Sequence, residues 1–342
     1  MRGSAVVLGA GVAGLATARG LLRAGWDIHV LERSPGLPDT GTALGMWPEA
    51  MHALDLLGAG DQVRATSVEQ RGARLLRPDG TEIAHLGPGR TARLVPRPAL
   101  LAALAEGLPA GLITWNTSVT DSDVLPPADV VVAADGIHSP ARVALFGTIA
   151  RPLGTVAFRG TVPGSVGGVT ETWGPSRLFG ITPHDAESTN WFASVRADLL
   201  DPVPSRTSAA GILRRLYGNW HPDVRRVLDA LGEHPIDRRT LLDVAPLPSY
   251  VSGRTALLGD AAHAMAPNLG RGACEALLDA TALVEALTAA PDVPGALHRY
   301  DDARRGPATR TVRLARLANT VSTAQHLLPV RNLVVAAAAR LS

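Results

Sequence analysis

The stretch AVVLGAGVAGLATARGLLRAGWDIHVLER, residues 5–33, decides the fold. Residues 5–8 form a short β-branched apolar run and residues 9–14 a glycine-rich turn. Residues 15–24 repeat apolar side chains at helical spacing until Gly25 ends them. Residues 28–31 read as a second buried strand. Strand, turn, helix and strand within about 30 residues make a βαβ unit.

The turn carries the G-x-G-x-x-G pattern at Gly9, Gly11 and Gly14. Its first glycine permits the tight turn, the second lets backbone approach a pyrophosphate, and the third lets the helix pack closely on the strand, with the helix N-terminus facing the anion. Glu32 stands at the end of the second strand, where a carboxylate accepts hydrogen bonds from ribose hydroxyls. Arg33 beside it would suit a 2′-phosphate, but the acid repels one, so the segment favours FAD or NAD over NADP. The competing reading is a glycine-rich structural turn with a surface Glu.

Working outward, residues 129–134 read as a parallel-type strand running into Asp135-Gly136, and residues 256–258 as another running into Gly259-Asp260. Both deliver polar groups to a strand's carboxyl end, where open α/β sheets bind ligands. Between them the pattern changes to short alternating runs at 155–162, 177–182 and 190–195, set off by Gly and Pro, which predicts antiparallel sheet. Residues 73–83, with a Pro78-Asp79-Gly80 turn, join that layer. From residue 273 the chain reads as helix, and its last helix is expected to cap the main domain. No internal repeat or low-complexity linker stands out.

Composition narrows the possibilities. The 342 residues are 46% hydrophobic and 19% charged, enough apolar surface for a folded chain of roughly two structural units by the usual ~100–200 residues each. The net charge of +2 comes from nearly balanced signs, all the basic side chains apart from His being Arg, and no basic block is dense enough for nucleic acid or a membrane surface. A single cysteine, Cys274, excludes an internal disulfide framework and a Cys-based metal centre, and suits a reducing cytoplasm. No metal-ligand spacing, Ser-His-Asp order or paired-carboxylate pattern stands out. No apolar run of ~18–20 residues suggests a membrane span.

With the residues laid out, the sequence resembles the group A flavoprotein monooxygenases of the p-hydroxybenzoate hydroxylase fold, in particular their salicylate, urate and zeaxanthin oxygenase branch. Five ordered matches carry the resemblance, which extends from the N-terminus to about residue 289. They are GAGVAG at 9–14, the segment 41–58, Arg97 with Leu100 three residues on, ADGIHSPAR at 134–142, and GDAAH at 259–263 followed by Pro267 and Gly270-Arg271-Gly272. The resemblance implies an α/β (α+β overall) fold. A discontinuous Rossmann-like FAD-binding domain would occupy residues 1–70, 94–152 and 240–290, and a mostly antiparallel substrate-binding sheet 71–93 and 153–239. A C-terminal helical segment would follow at 291–342.

It also implies roles. Asp260 is expected to hydrogen-bond the ribityl chain of non-covalent FAD, Arg97 to hold the ribityl–pyrophosphate region, and Asp135 and Gly136 to lie close to the pyrophosphate. Pro267, Gly270 and Gly272 belong to a loop against the isoalloxazine, and the following helix would aim its dipole at N1 and O2 of the ring. Arg271 departs from the Gln common in relatives, and is either a positive charge beside the flavin or a solvated side chain. The family chemistry, NAD(P)H reducing FAD and O₂ then forming a C4a-hydroperoxide, needs no certain side-chain catalyst.

The chain is therefore expected to hydroxylate or epoxidise a small electron-rich aromatic or polyene substrate, in a secondary-metabolite setting, as a monomer or homodimer. Trp47, Phe158, Trp173, Phe179 and Trp191 are the candidates for lining its pocket, and Arg159, Arg177 and His184 for fixing or deprotonating a phenol-like substrate. His263 reads as a structural part of its motif, and Cys274 as a small buried packing residue. The rival readings are a ligand-sequestering flavoprotein without turnover, a flavin-dependent halogenase or prenyl reductase, and an NAD-dependent dehydrogenase, which leaves residues 259–272 unexplained.

Overall fold

Three apolar runs, Ser4–Leu8, Val130–Ala133 and Thr255–Leu257, lie side by side as parallel strands. They sit in a six-stranded sheet that continues through Asp27–Leu31 to Ile113–Thr114 on one side and ends at the antiparallel edge strand Val251–Ser252 on the other. Val7, Val30 and Val132 are fully enclosed, because helices cover both faces of such a sheet and its strands read as continuous apolar runs. Each such side chain contributes roughly 1.5–3 kcal/mol. The computed structural model describes residues 3–87, 91–120, 125–201 and 207–340, so the parts of the expected inserted layer at 88–90 and 202–206 lie outside the described residues.

Helix Val12–Arg23 follows the first strand and packs on helix Gly272–Ala289. Gly20 permits the approach, since a Cβ there would come within 2.7 Å of Val284. A three-stranded sheet of Ala43–Met46, Ala92–Pro96 and Val68–Gln70 lies beside this layer.

The second layer is a seven-stranded, mostly antiparallel sheet. Its order is Asp237–Asp243, Arg151–Pro163, Ser188–Arg196, Arg177–Pro183, Val169–Gly174, Ala73–Leu76 and Glu82–Leu86. Two of its strands escape the alternation rule. Asp237–Asp243 is an edge, and its charged Asp237, Arg238 and Arg239 blunt that edge. Val169–Gly174 is rich in Thr and Glu, with Glu171 paired to Trp173.

The two faces of this sheet have different neighbours. Phe158, Phe179 and Trp191 project towards helices Ala209–Tyr217 and Pro222–Ala230 and form one core with Tyr217 and Trp220. The opposite face meets the nucleotide-type layer, where the Ala43 amide donates to Asn190 Oδ1 at 3.3 Å.

Helix Val293–Ser322 packs along Gly272–Ala289. The last helix, Leu328–Ala339, corrects the expectation of a cap on the main domain. It lies on the antiparallel sheet, with Val335 and Ala339 against Leu75, Ile83 and Ala84, and with Arg331 donating to the carbonyls of Trp173 and Gly174. Its alanine run offers no apolar stripe that would name a docking face, so the Arg331 anchor selects one.

Candidate active site

The strand order aligns four turns along one edge of the parallel sheet. Gly259-Asp260, Asp135-Gly136, the turn at 9–14 and Glu32 each follow the carboxyl end of one of four adjacent strands. Brought together this way, they stand where open α/β sheets take ligands.

The glycines divide into two kinds. A Cβ at Gly14 would sit 1.8 Å from the Gly9 carbonyl oxygen, and one at Gly9, whose φ is +99°, would sit 2.5 Å from that of Ala134. These two serve close packing of turn, helix and strand. At Gly11, Gly136, Gly270 and Gly272 a Cβ would meet nothing within 4 Å. Those four border open space, a cradle that side chains would narrow.

Glu32 Oε2 accepts from the Ala10 amide at 2.6 Å and Oε1 from the Ser34 amide at 2.8 Å. Burial alone would raise its pKa, but these amides, with the Ser34 hydroxyl and the charge of Arg33, hold it below the usual range. The ionised group has about four acceptor positions, so room for ribose hydroxyls remains. Arg33 itself is exposed.

Asp135 Oδ2 accepts from the Ala141 amide at 3.3 Å, whereas its Oδ1 is buried without a partner. Burial pushes this carboxyl upwards, against the Ser139 hydroxyl, the Ala141 amide and the charge of Arg142. Asp260 opens onto the cleft yet lies deep within it. Desolvation raises its pKa, opposed by the charges of His263, Arg97 and Arg142. Arg97, at the start of helix Arg97–Ala105, is lowered by desolvation and by the neighbouring charges of Arg159 and Arg239.

Several supporting roles were not assigned from the sequence. Arg142, the last residue of the ADGIHSPAR match, is buried, and its guanidinium donates to the carbonyls of Ile137 at 2.6 Å, Ala261 at 3.0 Å and Thr148 at 3.0 Å. It ties the Asp135 turn to the Asp260 turn. Asp279 sits fully buried beneath the same region, accepting from the Gly259 amide at 2.9 Å, from His263 Nε2 at 2.5 Å and from Arg304 Nε at 2.7 Å. Burial would lower the His263 pKa, but the charge and hydrogen bond of Asp279 raise it. Asp279 is held low against its own burial by His263 and Arg304. Two acids four residues apart, Glu275 and Asp279, on a largely apolar helix were the available signal.

Arg304 continues the network to Glu275 at 2.6 Å, and Glu275 to Arg271, which also reaches Glu49 at 2.6 Å. Arg271 is therefore not a solvated side chain: it is ion-paired between the segment 41–58 and the helix behind the loop. The loop itself is the 3-10 turn Pro267–Leu269 followed by Gly270 at φ +61°. Cys274, whose Sγ donates to the Gly45 carbonyl at 3.1 Å, is pushed up to about 11 by burial and stays a thiol.

The aromatic candidates separate by face. Phe158, Phe179 and Trp191 are 0% exposed, with Phe179 stacked on Trp191 at 5.8 Å between centroids, so they are core side chains on the helix-covered face. The reason is the two-residue period of a strand, which fixes alternation but not which alternate set faces the ligand. Arg177 goes with them, its guanidinium over the rings of Tyr217 and Trp220. On the other face stand Phe192, absent from the sequence reading, and half-buried Trp173; Trp47, also half-buried, starts helix Pro48–Leu56 with its Nε1 buried and unpartnered. Arg159 is paired with Asp237 at 2.7 Å. His184, just past Arg177–Pro183, has Nε2 3.8 Å from Asp185.

A cavity of about 650 Å³ at the end of the antiparallel sheet, lined by Gly72, Arg74, His85, Gly164 and Arg226, contains none of these groups. Among the described residues, no cluster of three His, Cys, Asp or Glu side chains is placed to hold a metal, and no helix is long and apolar enough to cross a membrane.

Comparison with known proteins decides which nucleotide protein this is. A family model described as "FAD dependent oxidoreductase" matches residues 4–80, and "FAD binding domain" matches 227–315. The chain is 31% identical over 327 residues to the aurachin C monooxygenase/isomerase of Stigmatella aurantiaca, covering 87% of this chain and 84% of that protein. The chain belongs to the FAD-dependent monooxygenase family. A second member, the 3-amino-4-hydroxybenzoate 2-monooxygenase of Streptomyces cremeus, is 32% identical over 350 residues, with 94% and 87% coverage. The crystal structure of HpxO of Klebsiella pneumoniae with FAD and uric acid superposes with a TM-score of 0.86, at 24% identity, covering 99% of this chain and 93% of that one.

This FAD-dependent monooxygenase thus has the p-hydroxybenzoate hydroxylase-like architecture of a parallel sheet, an antiparallel sheet and C-terminal helices. Its own residues fit the cofactor. The four open glycines and the buried, unpartnered Asp135 Oδ1 and Trp47 Nε1 leave both space and unsatisfied polar groups along the cleft.

Proposed function

We propose that this monooxygenase uses NAD(P)H and O₂ to hydroxylate a small, electron-rich aromatic substrate between the 267–272 loop and the antiparallel sheet. The observation that carries the reading is the cradle of open glycines facing a sheet surface that presents Phe192. Bound FAD supplies hydride acceptance from the nicotinamide nucleotide and the activation of O₂.

The remaining work belongs to the chain. Glu32 would take the ribose hydroxyls, Gly11, Asp135 and Gly136 the pyrophosphate, and Arg97 and Asp260 the ribityl chain. Helix Gly272–Ala289 would bring about half a positive charge of dipole to the flavin ring, favouring its reduced, anionic form without a side chain. The Glu49–Arg271–Glu275 clamp holds the loop in place while leaving little net positive charge there. Phe192, Trp47 and Trp173 exclude water and offer flat apolar contact. His184, with a buried, unpartnered Nδ1, is the candidate to accept a phenolic proton.

One relative named above is a monooxygenase of 3-amino-4-hydroxybenzoate, and further relatives are urate hydroxylases of Klebsiella, which supports an aromatic substrate here. The test is NADH or NADPH oxidation by the FAD-loaded protein with a panel of phenols and N-heterocycles. Expected is ligand-stimulated nucleotide consumption with gain of one oxygen atom by the ligand. A protein that holds FAD but is reduced by neither nucleotide contradicts the reading and favours a sequestering flavoprotein.

A further inference from the structure

The cleft-facing surface of the antiparallel sheet contains an acid that the proposed mechanism does not use. Cross-strand register places Glu171, Gly180, Phe192, Arg159 and Asp237 in one row, each opposite the next. Residues opposite each other share a face. The Arg159–Asp237 ion pair, and the Asn190–Thr182 hydrogen bond of 2.9 Å one row over, show that side chains of these rows meet on that face. It is also the face on which Asn190 accepts from Ala43 of the nucleotide-type layer.

Gly180 creates the space in this row. A Cβ there would lie 2.0 Å from the tip of the Phe192 ring, so the ring lies across Gly180 towards the strand of Glu171, one strand spacing of about 5 Å away. The Glu171 carboxyl accepts from Trp173 Nε1 at 2.8 Å through Oε2, and among the described residues no basic group beside it offsets its charge. Trp173 packs in one cluster with Val335 and Ala339 of the last helix, and the Arg331 guanidinium lies 5.6 Å from its ring. The surface therefore offers a flat aromatic ring with a fixed carboxyl at its edge.

We propose that Glu171 is the specificity-determining residue of the cleft, and that the ring it selects is a flat heteroaromatic carrying adjacent N–H and C=O groups rather than an aromatic carboxylate. This rests on the monooxygenase reading for the position of the substrate, and deepens it by naming the substrate class. Burial raises the Glu171 pKa, with the Trp173 hydrogen bond opposing. With Oε2 taken by Trp173, Oε1 is left to accept from a ring N–H, and when the group carries its proton its O–H donates to the adjacent ring C=O, so that a cyclic amide pairs with it through two hydrogen bonds. A substrate carboxylate at this edge would face another acid, while the cations around Asp237, Arg159 and Arg239, stand at the far end of the row, three or more strands away.

The experiment uses the FAD-loaded protein and titrates 3-hydroxy-2-quinolone, its N-methyl derivative and 4-hydroxybenzoate, following perturbation of the flavin spectrum rather than turnover. The expected result is binding of the quinolone at least about ten-fold tighter than of either comparator, a factor equal to one lost hydrogen bond of about 1.4 kcal/mol. In Glu171→Leu the N–H and N-methyl compounds should bind alike, while Glu171→Gln, which keeps a donor and an acceptor, should retain most of the preference. Equal wild-type affinity for the N–H and N-methyl compounds overturns the proposal without any variant. So does preference for 4-hydroxybenzoate, absence of quinolone binding, or an unchanged N-methyl penalty in Glu171→Leu. Nucleotide oxidation measured in parallel separates the two claims: quinolone binding without stimulated oxidation contradicts the catalytic reading and leaves the recognition by Glu171 intact.

Discussion

Arg142 and the two kinds of glycine make the residue-scale argument testable. Removing the Arg142 guanidinium leaves the carbonyls of Ile137, Thr148 and Ala261 without their donor inside the protein. Arg142→Ala should cost about 3 kcal/mol and weaken FAD binding at least ten-fold, as read by urea unfolding and flavin titration, with Arg142→Lys recovering only part because it lacks the planar fork. Unchanged stability would remove Arg142 from its linking role. Gly11 and Gly14 should behave oppositely. Gly14→Val must displace the Gly9 carbonyl and should fail to give a stable fold, whereas Gly11→Val projects into open space and should fold with its stability within about 1 kcal/mol while losing FAD. The fingerprint was legible as a motif, including Gly11 for the pyrophosphate and Gly14 for packing, but the close packing of Gly9 on Ala134 was not, since Ala134 lies far along the chain. The aromatics show the opposite limit. Trp191 and Phe192 are adjacent and both apolar, and nothing local tells which of them meets the helices.

At the scale of elements, the GDAAH turn is held by a helix and its partner rather than by its own loop. His263, Asp279 and Arg304 join the turn, helix Gly272–Ala289 and helix Val293–Ser322 through buried charges. Because the folded-state pKa of His263 is raised, its contribution is fully present below its unfolded value of about 6.5 and is lost as pH rises through the folded value. Asp279 is depressed, so its contribution is present above about 3.9 and is lost as pH falls through the folded value. Stability from this pair should therefore be greatest between about pH 4 and 6.5. Urea midpoints of the wild type should fall from pH 6 to pH 9, and His263→Gln should flatten that fall; an equal slope in both proteins would show that the pair does not titrate as described. The helices themselves were readable from periodicity. Their ion pairs were not, since Glu275, Asp279 and Arg304 make sense only when two successive helices are laid side by side, which brings together residues 25–29 positions apart.

For the whole molecule, two sheets of different kind enclose one cleft, and the chain builds them by returning repeatedly to the same edge. The parallel layer was legible because buried strands ending in Gly-Asp or Asp-Gly turns are distinctive. The antiparallel layer was legible in class, although Asp237–Asp243 was too charged to register as a strand. The position of helix Leu328–Ala339 was not legible, since its alanines name no face and its anchor, Arg331, bonds carbonyls some 157 residues earlier in the chain. The cleft's cofactor chemistry is the claim on which the rest depends, and anaerobic reduction tests it most directly. Purified protein loaded with FAD should show flavin absorbance near ~450 nm that bleaches on addition of NADH or NADPH, and faster in the presence of a ring ligand that fits the cleft. A protein that takes up no FAD, or whose flavin stays oxidised with both nucleotides and every ligand, would contradict the account.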